Sequence, residues 1–121
     1  MRVLFSGTRK ELNREQELTV KFYLNLFAKD GSVIVGDCPT GVDKIVAEWC
    51  SDNNVEYVVY KANWDKYGKA AGPLRNKAMV ASKPDMTIGF PLGESRGTWN
   101  CLLQASEKKL PVATIPLDNI F

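Results

Sequence analysis

Five short apolar runs punctuate the chain, at Arg2–Ser6, Ser32–Gly36, Val55–Tyr60, Asp85–Phe90 and Val112–Ile115. They are rich in Val and Ile with little alternation, the pattern of strands buried on both faces. Between them lie four segments with helical character: Asn13–Lys29, Gly41–Asn53, Lys69–Ser82 and Gly97–Lys109. The second is the clearest, with Val42, Ile45, Val46, Trp49 and Cys50 on one apolar stripe. The fourth repeats it with Trp99, Leu102, Leu103, Ser106 and Leu110. The first carries Leu18, Phe22, Leu26 and Phe27 after an acidic opening turn, Glu11 to Glu17, which suits the helix dipole. Alternating strand and helix with short connections predict a parallel sheet covered by helices. The fold class expected is α/β: a single three-layer Rossmann-like domain over residues 1–121, with a five-stranded parallel sheet and helices on both faces.

Right-handed crossovers bring every strand-to-helix loop to one edge of such a sheet, where ligands bind. Four unusual loops collect there. They are Ser6–Arg9, Gly36–Asp43, the long Trp64–Asn76 segment, and Gly89–Thr98, whose glycines precede a helix start. Backbone N–H groups at such a junction are free to hold an anion. The opposite connections, Asp30-Gly31 and Lys108–Pro111, are ordinary helix stops. Individual residues read in more than one way. Gly7 and Gly36 suit tight strand exits or close approach of a ligand. Thr40 suits a helix N-cap, and Asp43 suits dipole compensation in the first helical turn. Arg9 and Arg75 converge on the same edge and favour an anion. Trp64 and Tyr67 fit edge-of-core aromatics or a stacking platform for a base. Cys101 reads as a small core residue, and Trp49 and Trp99 as packing.

Composition narrows the chemistry. The 121 residues, 45% hydrophobic, suffice for one domain with a real core. A net charge of +2, with no basic stripe carrying interleaved aromatics, argues against nucleic-acid and membrane partners. No apolar run approaches the ~18 residues of a membrane span, and the N-terminal stretch lacks a signal-peptide pattern. Cys38, Cys50 and Cys101 are odd in number and fit neither a zinc spacing nor a disulfide framework, so a reducing cytoplasm is expected. Histidine is absent, which removes the commonest general base and metal ligand. Neither a metal nor a cofactor is expected.

At these loops the chain resembles, over its whole length, the SLOG superfamily (the Rossmann-like SMF/DprA and LOG proteins), in its small YspA/YpsA-related branch. The residues that carry the resemblance are Ser6-Gly7-Thr8-Arg9, Gly36…Gly41-Val42-Asp43 with Ala47-Glu48-Trp49, the segment Trp64–Asn76, and Phe90-Pro91…Gly93…Gly97-Thr98. The resemblance implies a pocket for a nucleotide or nucleotide-derived ligand at this loop edge, in a sensor or sequestering protein. The ligand-binding set it implies is Ser6, Gly7, Thr8, Arg9, Gly36, Gly41, Asp43, Trp64, Tyr67, Gly72, Arg75, Asn76, Pro91, Gly93, Arg96, Gly97 and Thr98. Loop amides at Gly7–Arg9 and Gly93–Thr98 would hold phosphate, and Arg75 with Arg9 or Arg96 would neutralise it. Trp64 or Tyr67 would flank the base, while Asp43 and Asn76 orient a ribose or base edge.

LOG proteins are phosphoribohydrolases that cut the N-glycosidic bond of nucleoside monophosphates, so such an activity is the alternative reading. Their signature joins an Arg-Lys-x-x-Met-like segment to Pro-Gly-Gly-x-Gly-Thr-x-x-Glu. Arg75-Asn76-Lys77-Ala78-Met79 matches the first in its Arg and Met. Pro91, Gly93, Gly97 and Thr98 match much of the second, with Leu92 in place of a glycine and two extra residues before Gly97. The LOG glutamates fall at Asn100 and Cys101, neither of which is a carboxylate. Hydrolysis through an oxocarbenium-like state needs a carboxylate nearby, and Glu94 or Asp43 is the relocated candidate. The apolar helix stripes fit core packing and equally fit a dimer face, and a homo-oligomer, dimer or higher, is expected.

Overall fold

A computed structural model of the chain describes residues 1–118. The elements run β1 (Arg2–Gly7), α1 (Arg14–Phe27), β2 (Ser32–Gly36), α2 (Gly41–Asp52), β3 (Glu56–Tyr60), α3 (Trp64–Tyr67), a 3₁₀ turn (Gly68–Ala70), α4 (Ala71–Ala81), β4 (Met86–Phe90), α5 (Arg96–Glu107) and β5 (Val112–Thr114). Strand order is β3-β2-β1-β4-β5, and every neighbouring pair is parallel. From β1 the chain winds outward through β2 to β3, then crosses back to lay β4 and β5 on the other side. That reversal opens a crevice beyond the C-terminal ends of β1 and β4.

The sheet separates two apolar layers. Val3, Phe5, Val33, Val35, Ile88 and Phe90 face α1 and α2, which contribute Val20, Leu24, Val42, Val46 and Trp49. Leu4 and Ile34 face the other way, toward Met79, Val80, Cys101 and Ala105 on α4 and α5. Central strands thus bury both faces, which is why they read as continuous apolar runs. Each fully buried Val, Leu or Phe contributes roughly 1.5–3 kcal/mol by leaving water. The edge strand β3 departs from that pattern: Tyr57, Val58 and Val59 are all exposed, and among the described residues no strand pairs beyond it.

Three sequence expectations are corrected. The segment expected to be loop from Trp64 is helical at once, forming α3 and the 3₁₀ turn before α4. On α1 the inward face is Val20 and Leu24, flanked by Tyr23 and Phe27, while Leu18, Phe22 and Leu26 point to solvent. Two apolar stripes share that helix, and periodicity alone does not say which one docks. On α5 the buried residues are Thr98, Cys101, Leu102 and Ala105, and Leu110 beyond its end is half-buried. Trp99, Leu103 and Ser106 are exposed, so Trp99 is not a packing residue, whereas Trp49 is.

Candidate functional site

The loop after β1 is the hinge of the site. Thr8 N–H donates to Phe90 O at 3.0 Å, tying it to β4, and Val42 N–H donates to Thr8 O at 3.0 Å, tying it to α2. The Thr40 hydroxyl donates to Arg9 O. Thr40 occupies the N-cap position but does not cap α2, contrary to the sequence expectation, because its oxygen serves this cross-loop bond. Gly41, at φ +70°, is a packing glycine: a Cβ there would lie 2.1 Å from Thr8 O.

Three helix N-termini at this edge, those of α2, α4 and α5, lack side-chain caps. No side chain caps α2, and none caps α5, whose N-cap Ser95 sits in the left-handed region at φ 46°. The Ser95 and Thr98 hydroxyls bond each other at 3.1 Å instead. The first-turn amides of α5 therefore keep their hydrogen-bonding capacity for a ligand. By contrast α1 opens with a complete capping box between Asn13 and Gln16.

Between these loops lies a cavity of about 190 Å³, lined by Ser6–Lys10, Gly36, Cys38, Asp43, Arg75, Asn76, Met79, Leu92 and Ser95–Thr98. An adjoining groove of about 550 Å³ runs past Arg9, Trp64, Lys69, Gly72, Pro73, Arg75, Asn76, Arg96, Gly97 and Asn100. Arg75 borders both and is held on two sides. Its Nη1 pairs with Asp37 Oδ1 at 2.9 Å, and its Nε donates to Asn76 Oδ1 at 3.1 Å. Asn76 in turn donates to Gly97 O and Asn100 Oδ1, both at 3.1 Å. Gln104 donates to the same Asn100 oxygen at 2.8 Å. The Asn76 amide thus positions Arg75: both of its N–H groups are committed, and its oxygen, which accepts from Arg75, keeps one lone pair open.

Arg9 lies over the Trp64 ring, 4.8 Å from its centroid, and Trp64 in turn covers Gly72. The Lys10 ammonium lies against Gly93, where a Cβ would come within 2.9 Å of Nζ. Against the four cations Arg9, Lys10, Arg75 and Arg96, the smaller cavity has one carboxylate, Asp43. Burial pushes its carboxyl from 3.8 up to about 6, while the Cys38 backbone N–H and the Arg75 guanidinium pull the other way.

The structure thus brings together most of the residues singled out from sequence. Ser6, Gly7, Thr8, Arg9, Gly36, Asp43, Arg75, Asn76, Arg96, Gly97 and Thr98 line the cavity, and Trp64 and Gly72 join them along the groove. Gly41, Tyr67, Pro91, Gly93 and Glu94 line neither. Tyr67 turns to solvent under the Lys66 ammonium, which sits 5.1 Å from its ring. Glu94 is 83% exposed and pairs with Arg96 at 3.5 Å, away from the cavity. Of the two carboxylates considered for chemistry, only Asp43 is in place. Asn100 is half-buried between α4 and α5, and Cys101 is fully buried, its thiol pushed up to about 11 by burial. Sequence reasoning passed over Lys10, Asp37, Cys38 and Ser95. Asp37, at the end of β2, carries the usable signal: a carboxylate at the loop edge that must receive Arg75.

Three comparisons bear on this arrangement. The model of the YAcAr family, described as the YspA, cpYpsA-related SLOG family, matches residues 1–67. That stretch runs from β1 through α3 and includes Arg9, Asp37, Asp43 and Trp64. Gene 61 protein of Mycobacterium phage D29 is 37% identical over 87 residues, 68% of this chain and 70% of that protein. No solved structure matches.

Proposed function

The chain belongs to the YspA, cpYpsA-related SLOG family, and on that premise we propose that the β1/β4 cavity binds a nucleotide or nucleotide-derived ligand, as a sensor or sequestering protein. The observation that carries the reading is Arg75, fixed by Asp37 and Asn76 and set beside the uncapped first turn of α5. Preorganised guanidinium and free amides around one small cavity suit a phosphate group. The larger groove past Arg9 and Trp64 has room for the remainder of such a ligand. Calorimetry against mononucleotides, dinucleotides, ADP-ribose derivatives and cyclic nucleotides is the test. At least one should bind, and Arg75→Ala should weaken it by at least about tenfold, the scale of one charge-assisted phosphate contact. No binding across that panel, or binding indifferent to Arg75→Ala, sinks the proposal.

One observation favours a second reading, hydrolysis of a nucleoside monophosphate. Asp43 is a buried carboxyl on the cavity wall, and its value of about 6 suits proton transfer near neutral pH. This reading expects free base and ribose phosphate from a nucleoside monophosphate, with Asp43→Asn lowering kcat far more than it alters KM. Absence of base release at high protein concentration rules it out for the substrates tried.

A further inference from the structure

The outer face of α1 has no partner among the described residues, and its pattern is that of a surface made for another copy of itself. Leu18, Phe22 and Leu26 are 54%, 60% and 59% exposed and stand one turn apart, a continuous apolar ridge along the helix. A soluble helix ordinarily carries polar residues there. Charges flank the ridge in a set order. Arg14 and Glu15 open the helix, and Lys29 and Asp30 lie in the turn that follows its end, all four exposed.

That order is symmetric about Phe22. Counting outward from it, Leu18 mirrors Leu26, Glu15 mirrors Lys29, and Arg14 mirrors Asp30. Each of these three mirrored pairs is either apolar with apolar or of opposite charge, and between them Thr19 mirrors Asn25, polar with polar. An antiparallel copy related by a two-fold axis through Phe22 meets just these mirrored residues. The Glu15–Lys29 pair then occurs twice, once at each end, and the Arg14–Asp30 pair likewise. A parallel arrangement would set Glu15 on Glu15 and Lys29 on Lys29. A shallow crossing keeps the length of α1, about 21 Å for its 14 residues, in contact.

We propose that the chain forms a two-fold dimer through α1, antiparallel, with Phe22 on Phe22 at the axis and the Glu15–Lys29 pairs at the ends. The partner is a second copy of this chain, and the interface lies on the layer opposite α4 and α5. The ends of the interface carry the specificity, because rim charges set register and orientation more than they set affinity.

Sedimentation equilibrium of the whole chain tests it. Wild type should approach twice the 13.5 kDa chain mass as concentration rises toward about 100 µM, the range expected for an interface at the small end of the size scale. Phe22→Glu should be monomeric throughout, with an unchanged circular dichroism spectrum because that side chain lies outside the core. Glu15→Lys alone and Lys29→Glu alone should each weaken self-association by about tenfold or more, since both ends become repulsive. Mixing those two variants should restore a heterodimer, as every mirrored pair is again of opposite charge. A wild type that stays monomeric at about 100 µM overturns the proposal. So does a dimer that survives Phe22→Glu, or one that dissociates instead with Trp99→Glu on α5. Failure of the mixed variants to pair overturns the antiparallel register.

Discussion

Asp43 and Arg75 meet across Gly36, and the missing side chain at that position is what allows it. A Cβ on Gly36 would stand 2.5 Å from Arg75 Nη1 and 2.7 Å from Asp43 Oδ2. The space at this glycine is taken by two side chains of the protein itself, Arg75 and Asp43. Gly36→Ala should therefore displace the guanidinium and weaken ligand binding by about tenfold or more, read by calorimetry. Unchanged affinity would show that Arg75 does not meet the ligand. The Asp43 carboxyl makes a separate, pH-dependent prediction. Its folded value of about 6 lies above its ordinary 3.8, so the native state holds the proton more tightly than the unfolded chain. The stabilisation is complete below 3.8 and is lost as pH rises through about 6. Asp43→Asn removes the charge but keeps an acceptor for Cys38 N–H. Relative to wild type, its stability should rise between pH 4 and 6 and then level off, by on the order of 2 kcal/mol. Urea denaturation at several pH values measures this, and a difference that stays flat with pH refutes it.

At the scale of elements, β4 carries an internal inconsistency. Thr87 is fully buried, and its hydroxyl has no hydrogen-bond partner. An unsatisfied buried hydroxyl costs about 1–3 kcal/mol, whereas valine fills the same shape without it. Thr87→Val should thus leave the thermal midpoint equal or higher, by up to several degrees. A fall would mean that the hydroxyl has a partner, such as an ordered water. α1 and α5 illustrate a different point. Both carry more apolar residues than one face can bury, so helical periodicity identified the elements but mixed outward-facing residues with inward ones. On α1 the docked pair Val20 and Leu24 is shifted by two residues from Leu18, Phe22 and Leu26, which turns the ridge to the far side. The helix termini behave likewise. Thr40 is an N-cap by position and a cross-loop donor in fact, because Arg9 O lies within reach only after β1 and β2 pair.

For the whole molecule, the strand order places the loops after β1 and β4 side by side, and their two halves of the chain share one cavity. A ligand seated there bridges both halves and should stabilise the fold as a unit. At about a hundred times its Kd it should add roughly 2.7 kcal/mol, visible as a rise of several degrees in the thermal midpoint. A ligand that binds without raising the midpoint would be occupying some other form of the chain. Among the described residues no helix is long and apolar enough to cross a membrane. What the sequence determined by itself was local: five apolar runs, helical spacing between them, and glycine-bearing loops collected at one edge. These follow from short-range sterics and periodicity, which neighbouring residues are enough to impose. Only the tertiary structure decided which apolar stripe of α1 faced inward. It alone set Asp37 and Asn76 around Arg75, removed Glu94 from the cavity and left Asp43 within it. Those outcomes depend on strand order and helix rotation, which bring together residues such as Asp37 and Arg75, 38 positions apart, that no local pattern links. Of the loop between Phe90 and Thr98, the tertiary structure brought Leu92 and the helical end Ser95–Thr98 to the cavity wall and left Pro91, Gly93 and Glu94 off it.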